Sequence, residues 1–143
     1  MPRYWIGIDP GEHTGVAIWN ADAKCFVDIF TTSAATAILH IWDNYVGWNR
    51  HTTIVFEDAR QRKYLPRETS VAEYRGKLMG AGSVKRDCTI WEEFCKSYNF
   101  DYQAVPPRKG ATKWDADYFA RVTGWKGRTS NHARDAALLV FNK

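Results

Sequence analysis

The sequence predicts an α/β domain built around a five-stranded mixed sheet. Three short apolar runs crowd into the first 31 residues, two more lie between helix-length amphipathic stretches, and turn-forming residues punctuate the junctions. With 143 residues, 45% hydrophobic and 25% charged, residues 1–143 form a single folding unit of ordinary globular composition. That excludes a two-domain enzyme, a disordered chain and a low-complexity repeat. No apolar run approaches the roughly 18–20 residues of a membrane span, so no membrane partner is expected.

The elements follow in order. Tyr4-Trp5-Ile6-Gly7-Ile8 is a short apolar strand that ends at the turn Asp9-Pro10-Gly11. Thr14 to Trp19 is a second strand and Cys25 to Thr31 a third, which together read as an antiparallel meander. Ser33 caps a helix running to about Val46, with Ala34, Ala37, Ile38, Ile41, Trp42 and Tyr45 on one stripe. Thr52 to Phe56 is a continuous apolar strand of the buried central kind, and it delivers Glu57 and Asp58 at its C-terminal end. Helical pattern resumes near Ser70, with a break or close approach allowed by Gly76, Gly80 and Gly82, and continues from Thr89 to Tyr98. Tyr102 to Val105 is the fifth strand, stopped by Pro106-Pro107, and helices over about 112–122 and 131–141 complete the chain. Trp19, Trp42, Trp91 and Trp114 are assigned to packing, and Cys88 and Cys95, seven apart, to one helix face.

Cys25, Cys88 and Cys95 are odd in number and form no CxxC pair, which fits a reducing, cytoplasmic location and argues against a disulfide scaffold or zinc ribbon. The opening residues run straight into a strand and carry no signal peptide. The net charge of +4 is unevenly placed: residues 1–71 carry −1 and residues 72–143 carry +5. Cations gather in three clusters, the first Arg60, Arg62, Lys63 and Arg67, the second Arg108, Lys109 and Lys113, the third Lys126 and Arg128. In a chain with seven Trp, seven Tyr and seven Phe, such clusters suit a polyanion whose bases offer stacking faces.

The sharpest chemistry lies in acids placed where strands end. Asp9 closes the first strand and Glu57 the fourth, while His132 and Asp135, three apart, project from one side of a helix whose run Ala136 to Val140 seeks the core. If the first and fourth strands are neighbours and this helix packs beside them, the four side chains converge. Three carboxylates and an imidazole so placed would repel unless cations neutralise them. Oxygen-rich donors suit Mg²⁺ or Mn²⁺, the imidazole tilting the set slightly toward Mn²⁺. Two such ions about 4 Å apart can activate water and stabilise the leaving oxygen of a phosphodiester. Asp58 and Glu12 are near enough in sequence to be alternative ligands.

At this point three blocks resemble a family. Ile6-Gly7-Ile8-Asp9-Pro10-Gly11 with Thr14-Gly15-Val16-Ala17 is similar to the opening hairpin of RuvC-type Holliday junction resolvases, which are RNase H-like nucleases. Ile54 to Glu57 resembles the second acidic strand, and His132-Ala133-Arg134-Asp135-Ala136-Ala137-Leu138 the C-terminal metal-binding helix. The resemblance implies strand order 3-2-1-4-5 and a homodimeric, metal-dependent endodeoxyribonuclease that cuts four-way DNA junctions. A compact phage or mobile-element version acting on branched DNA more broadly fits the short chain equally well. It further implies that Asp9, Glu57, His132 and Asp135 bind two Mg²⁺, replaceable by Mn²⁺, with Asp9 bridging them. Lys113, or Lys109, would then stabilise charge at the scissile phosphate, leaving 5′-phosphate ends. Tyr64, flanked by Arg62, Lys63 and Arg67, is the candidate wedge at the branch point, and the clusters from Arg60 to Arg67 and Arg108 to Lys113 are the DNA-binding candidates. The dimer interface is expected on the helices after Glu57, including Gly76 to Gly82. Two other readings stand beside this one: a non-catalytic branched-DNA-binding module of the same fold, and an RNase H-like nuclease acting on RNA/DNA hybrids, flaps or forks.

Overall fold

Side-chain alternation along the first strand decides the layout of the molecule. In the computed structural model, which describes residues 1–62, 70–107 and 113–143, Ile6 and Ile8 of β1 (Tyr4–Asp9) are fully buried on one face of the sheet. Gly7 and Asp9 face the other. β1 pairs antiparallel with β2 (Thr14–Asn20), which pairs antiparallel with β3 (Cys25–Thr32). On its other side β1 runs parallel to β4 (Thr52–Glu57), and β4 parallel to β5 (Asp101–Val105). The sheet order is β3-β2-β1-β4-β5, the order that the resemblance implies.

Two hydrophobic layers sandwich this sheet. Ile6, Ile8, Val16, Ile18, Ile54 and Phe56 meet α1 (Ala34–Tyr45) and α2 (Val71–Ser97) through Ala37, Ile41, Trp91 and Phe94. Ala17, Trp19 and Val55 meet α3 (Ala116–Thr123) and α4 (Asn131–Leu138) through Phe119, Ala133, Ala136 and Ala137. Each helix starts on a side chain that accepts an otherwise orphaned N–H: Ser33 from Thr36, Ser70 from Glu73, Asp115 from Tyr118 and Ser130 from Ala133. Cys88 and Cys95 are buried on one face of α2, and burial pushes their thiols up to about 11 and about 12.

Three expectations need correction. Gly76, Gly80 and Gly82 do not break α2, which is one helix of 27 residues; a Cβ at any of the three would meet nothing within 4 Å. Its last ten residues, from Cys88 onward, are anchored in the core, and the preceding turns continue the same helix outward. Trp42 is 43% exposed, because α1 turns Ala37, Ile41 and Tyr45 to the core and leaves Trp42 beside Tyr98 at the rim. The last two helices are shorter than expected, Asp115 capping α3 and tighter turns taking over after Leu138.

Candidate active site

Two parallel strands and two glycines build the site. β1 and β4 are in register up to the pair Ile8–Phe56, so Asp9 and Glu57 stand one step further on at the same end of adjacent strands. Both share the face of Gly7 and Val55, which is the α4 face. α4 lies there because the sheet offers no side chain to hold it off. A Cβ on Gly7 would come within 2.0 Å of the Ala136 carbonyl oxygen, and one on Gly15 within 2.0 Å of the His132 carbonyl oxygen. Gly15 is also the cross-strand partner of Asp9. The helix backbone thus rests directly on the hairpin and presents His132 and Asp135 beside the strand-end acids.

His132 Nδ1 lies 3.0 Å from Asp9 Oδ2, and Lys113 Nζ donates to Asp135 Oδ2 at 3.2 Å. The Asp9 side chain is 16% exposed, the His132 side chain 49%. Burial pushes the Asp9 carboxyl above the usual carboxylate range; the bond from His132 opposes this, while Asp135 reinforces it. Burial likewise raises Glu57, with Asp9 and then Asp135 adding to the effect and Arg62 and Lys113 offsetting part of it. Asp9 and Glu57 therefore both feel the charge of Asp135 and of Lys113, and Arg62 lies within electrostatic reach of Glu57. The donor set is rich in carboxylate oxygen, the chemistry that suits Mg²⁺ or Mn²⁺. Among the described residues, however, no group of three or more His, Cys, Asp or Glu side chains is arranged to hold a metal ion. Asp9 and Asp135 are instead turned to His132 and Lys113.

The raised Glu57 carboxyl fixes the sign of one prediction. An acid whose folded pKa exceeds its unfolded one favours folding at low pH and loses that advantage as pH rises from the unfolded to the folded value. Glu57→Gln is therefore expected to raise the Tm of metal-free protein at pH 7, with the gain disappearing as pH falls through the carboxylate range. Thermal unfolding in EDTA across pH 4 to 8 measures it; an equal or lower Tm for the variant at pH 7 contradicts the mutual strain of these acids.

The other candidates divide. Arg60 does not stand free: its guanidinium bonds Asp58 Oδ1 at 2.8 Å and Glu92 Oε2 at 3.2 Å, tying the end of β4 to α2. Burial acts to raise the Asp58 carboxyl, but the bonds from Arg60 and Gln61 hold it below its usual range. Asp58 is thus engaged away from the acids around Asp9. Arg62 and Glu12 are exposed. Lys63, Tyr64, Arg67, Arg108 and Lys109 lie outside the described residues.

Sequence reading missed Arg134. It stands between His132 and Asp135 but is 8% exposed, and among the described residues no carboxylate partners it. Its guanidinium donates to the Trp114 carbonyl at 3.0 Å, to the Thr129 carbonyl at 2.6 Å and hydroxyl at 2.9 Å, and to the Asn131 side-chain oxygen. It therefore ties the residue next to Lys113 to the start of α4.

Sheet order and flanking helices define a RuvC/RNase H-like fold. Among solved structures the chain is similar to T. thermophilus RuvC in complex with a Holliday junction substrate, with a TM-score of 0.56 and 14% identity over 97% of this chain and 91% of that one. At that identity the fold is what the two share. No family model matches the chain. No curated protein matches it either.

Proposed function

We propose that this chain is a metal-dependent endonuclease that resolves Holliday junctions or related branched DNA. The observation that carries the reading is the cluster at the end of β1 and β4, where His132 bonds Asp9, Lys113 bonds Asp135, and the charge of Asp135 makes both Asp9 and Glu57 costlier to ionise. The RuvC-like fold agrees with it. Asp9 and Glu57 would hold one divalent ion, and Asp9, His132 and Asp135 a second. Two bound Mg²⁺ or Mn²⁺ would supply activation of water and stabilisation of the leaving oxygen, giving 5′-phosphate and 3′-hydroxyl ends. Filling the site asks Asp9 and Asp135 to exchange their bonds with His132 and Lys113. Lys113, released from Asp135, would then meet charge developing on the phosphate. Arg62 would hold flanking backbone without reading sequence.

The reading includes a second copy of the chain. Residues 71–80 of α2 are all exposed, and Val71, Tyr74 and Leu78 fall on one helical stripe. This exposed apolar stripe supports a docking surface on the helix after Glu57. A monomer in sedimentation at working concentrations would remove the dimer from the proposal.

Cleavage assays on four-way, three-way, flap, hybrid and linear substrates, each with Mg²⁺, Mn²⁺ or EDTA, test the activity. The four-way junction is expected to be cut in either ion and spared in EDTA. The bonds of Asp9 to His132 and of Asp135 to Lys113 favour one competing reading, a non-catalytic junction-binding module. Junction retained without cleavage in both ions would select that module.

A further inference from the structure

The third basic cluster, Lys126 and Arg128, lies on a loop built to hold its shape. Gly124 closes α3 in the left-handed region, with φ of 75°, and its N–H bonds the Ala120 carbonyl at 2.9 Å. Trp125 then packs against the core beneath α3 and α4. Gly127 lies on that indole so closely that a Cβ would fall 2.8 Å from Nε1. Thr129 is gripped by Arg134 through both its carbonyl and its hydroxyl. The loop is thus fixed at Gly124, Trp125, Gly127 and Thr129, and the intervening Lys126 and Arg128 are exposed. Among the described residues neither has a carboxylate partner.

These cations border a groove of about 770 Å³ between the loop and α3, walled by Phe119, Ala120 and Trp125. Arg121 adds a third cation from α3, against one carboxylate, Asp117. The loop runs directly into Ser130, the cap of α4, and then His132. His132 is four positions after Arg128, so the two Cα atoms are at most about 14 Å apart. That is the reach of two or three phosphates along a strand.

We infer that the Gly124–Thr129 loop and α3 form a phosphate-binding groove that holds the DNA backbone on one side of the scissile phosphate. The inference rests on the nuclease reading for its ligand and on the loop for its location. A preorganised loop loses little entropy when it binds, and unpaired cations release counterions from phosphates without first breaking an internal ion pair.

The test is equilibrium binding of a fluorescent four-way junction in EDTA, followed by anisotropy over a series of KCl concentrations. Lys126→Ala/Arg128→Ala is compared with wild type and with Lys24→Ala on the β2–β3 turn, at the opposite end of the sheet from Asp9. The double variant is expected to bind roughly tenfold or more weakly, with the slope of log Kd against log salt shallower by about 1.8, two phosphates' worth. Lys24→Ala is expected to match wild type. An unchanged slope in the double variant, or an equal loss in Lys24→Ala, overturns the groove while leaving the nuclease reading intact. If wild type binds no DNA, both fall together. Unfolding curves of the variants establish that they are folded, and both substituted side chains are exposed.

Discussion

Asp9→Asn is expected to lower junction cleavage by roughly 10³-fold or more, since on the proposed reading it would remove the carboxylate shared by both ions. The fold should survive the change. An amide oxygen can still accept from His132, and loss of the charge relieves the repulsion among Asp9, Glu57 and Asp135. Binding in EDTA should be equal or slightly tighter, because attraction of the junction depends on the Lys and Arg surface and one repelling charge is gone. Single-turnover cleavage in Mg²⁺ with parallel anisotropy separates the two effects. Cleavage at the wild-type rate would mean that Asp9 is no ligand, and the assignment of the remaining acids would go with it.

Gly15→Ala is expected to damage both stability and site. Its new methyl would lie 2.0 Å from the His132 carbonyl oxygen, 2.3 Å from the carbonyl carbon and 2.9 Å from Ala133 N. All three are backbone atoms, so no rotamer change can absorb the clash, and α4 must lift by more than an ångström. Overpacking of this kind costs roughly 1–3 kcal/mol. For a domain of this size that lowers Tm by roughly 2–8 °C per kcal/mol. Cleavage should fall further than the loss of folded protein explains, because His132 and Asp135 ride on the displaced helix. Gly82→Ala is the contrast: its Cβ meets open space within α2, and the change should stabilise by roughly 0.5–1 kcal/mol. A Tm for Gly15→Ala equal to wild type would show that α4 does not rest on the hairpin as described.

Much of this arrangement is legible in the sequence because it follows from short-range rules. A two-residue period marks the sheet faces, and the turn after Asp9 and the end of the apolar run before Glu57 place both acids at strand ends. Spacing of three puts His132 and Asp135 together on α4. The rest depends on partners distant along the chain. Gly7 and Gly15 look like ordinary strand glycines until register sets them under residues 132–136. Arg60 reads as one more free cation because Glu92, 32 residues away, is invisible to local spacing. Arg134 sits in a polar stretch of helix, and only the loops folded over that stretch convert it from a surface charge into a buried fastener.

The exposed half of α2 has a consequence for assembly. Ordering a free helix requires an unfavourable first turn, but here the half anchored by Cys88, Trp91, Phe94 and Cys95 has already formed it. The outer turns extend as an outrigger beyond the core. Between Leu78 and Cys88 the helical rise sets an offset of about 15 Å. On the proposed reading, whatever seats on Tyr74 and Leu78 would be held at a stand-off set by helical rise, and the spacing between the sites of two copies would follow from the count of residues along α2.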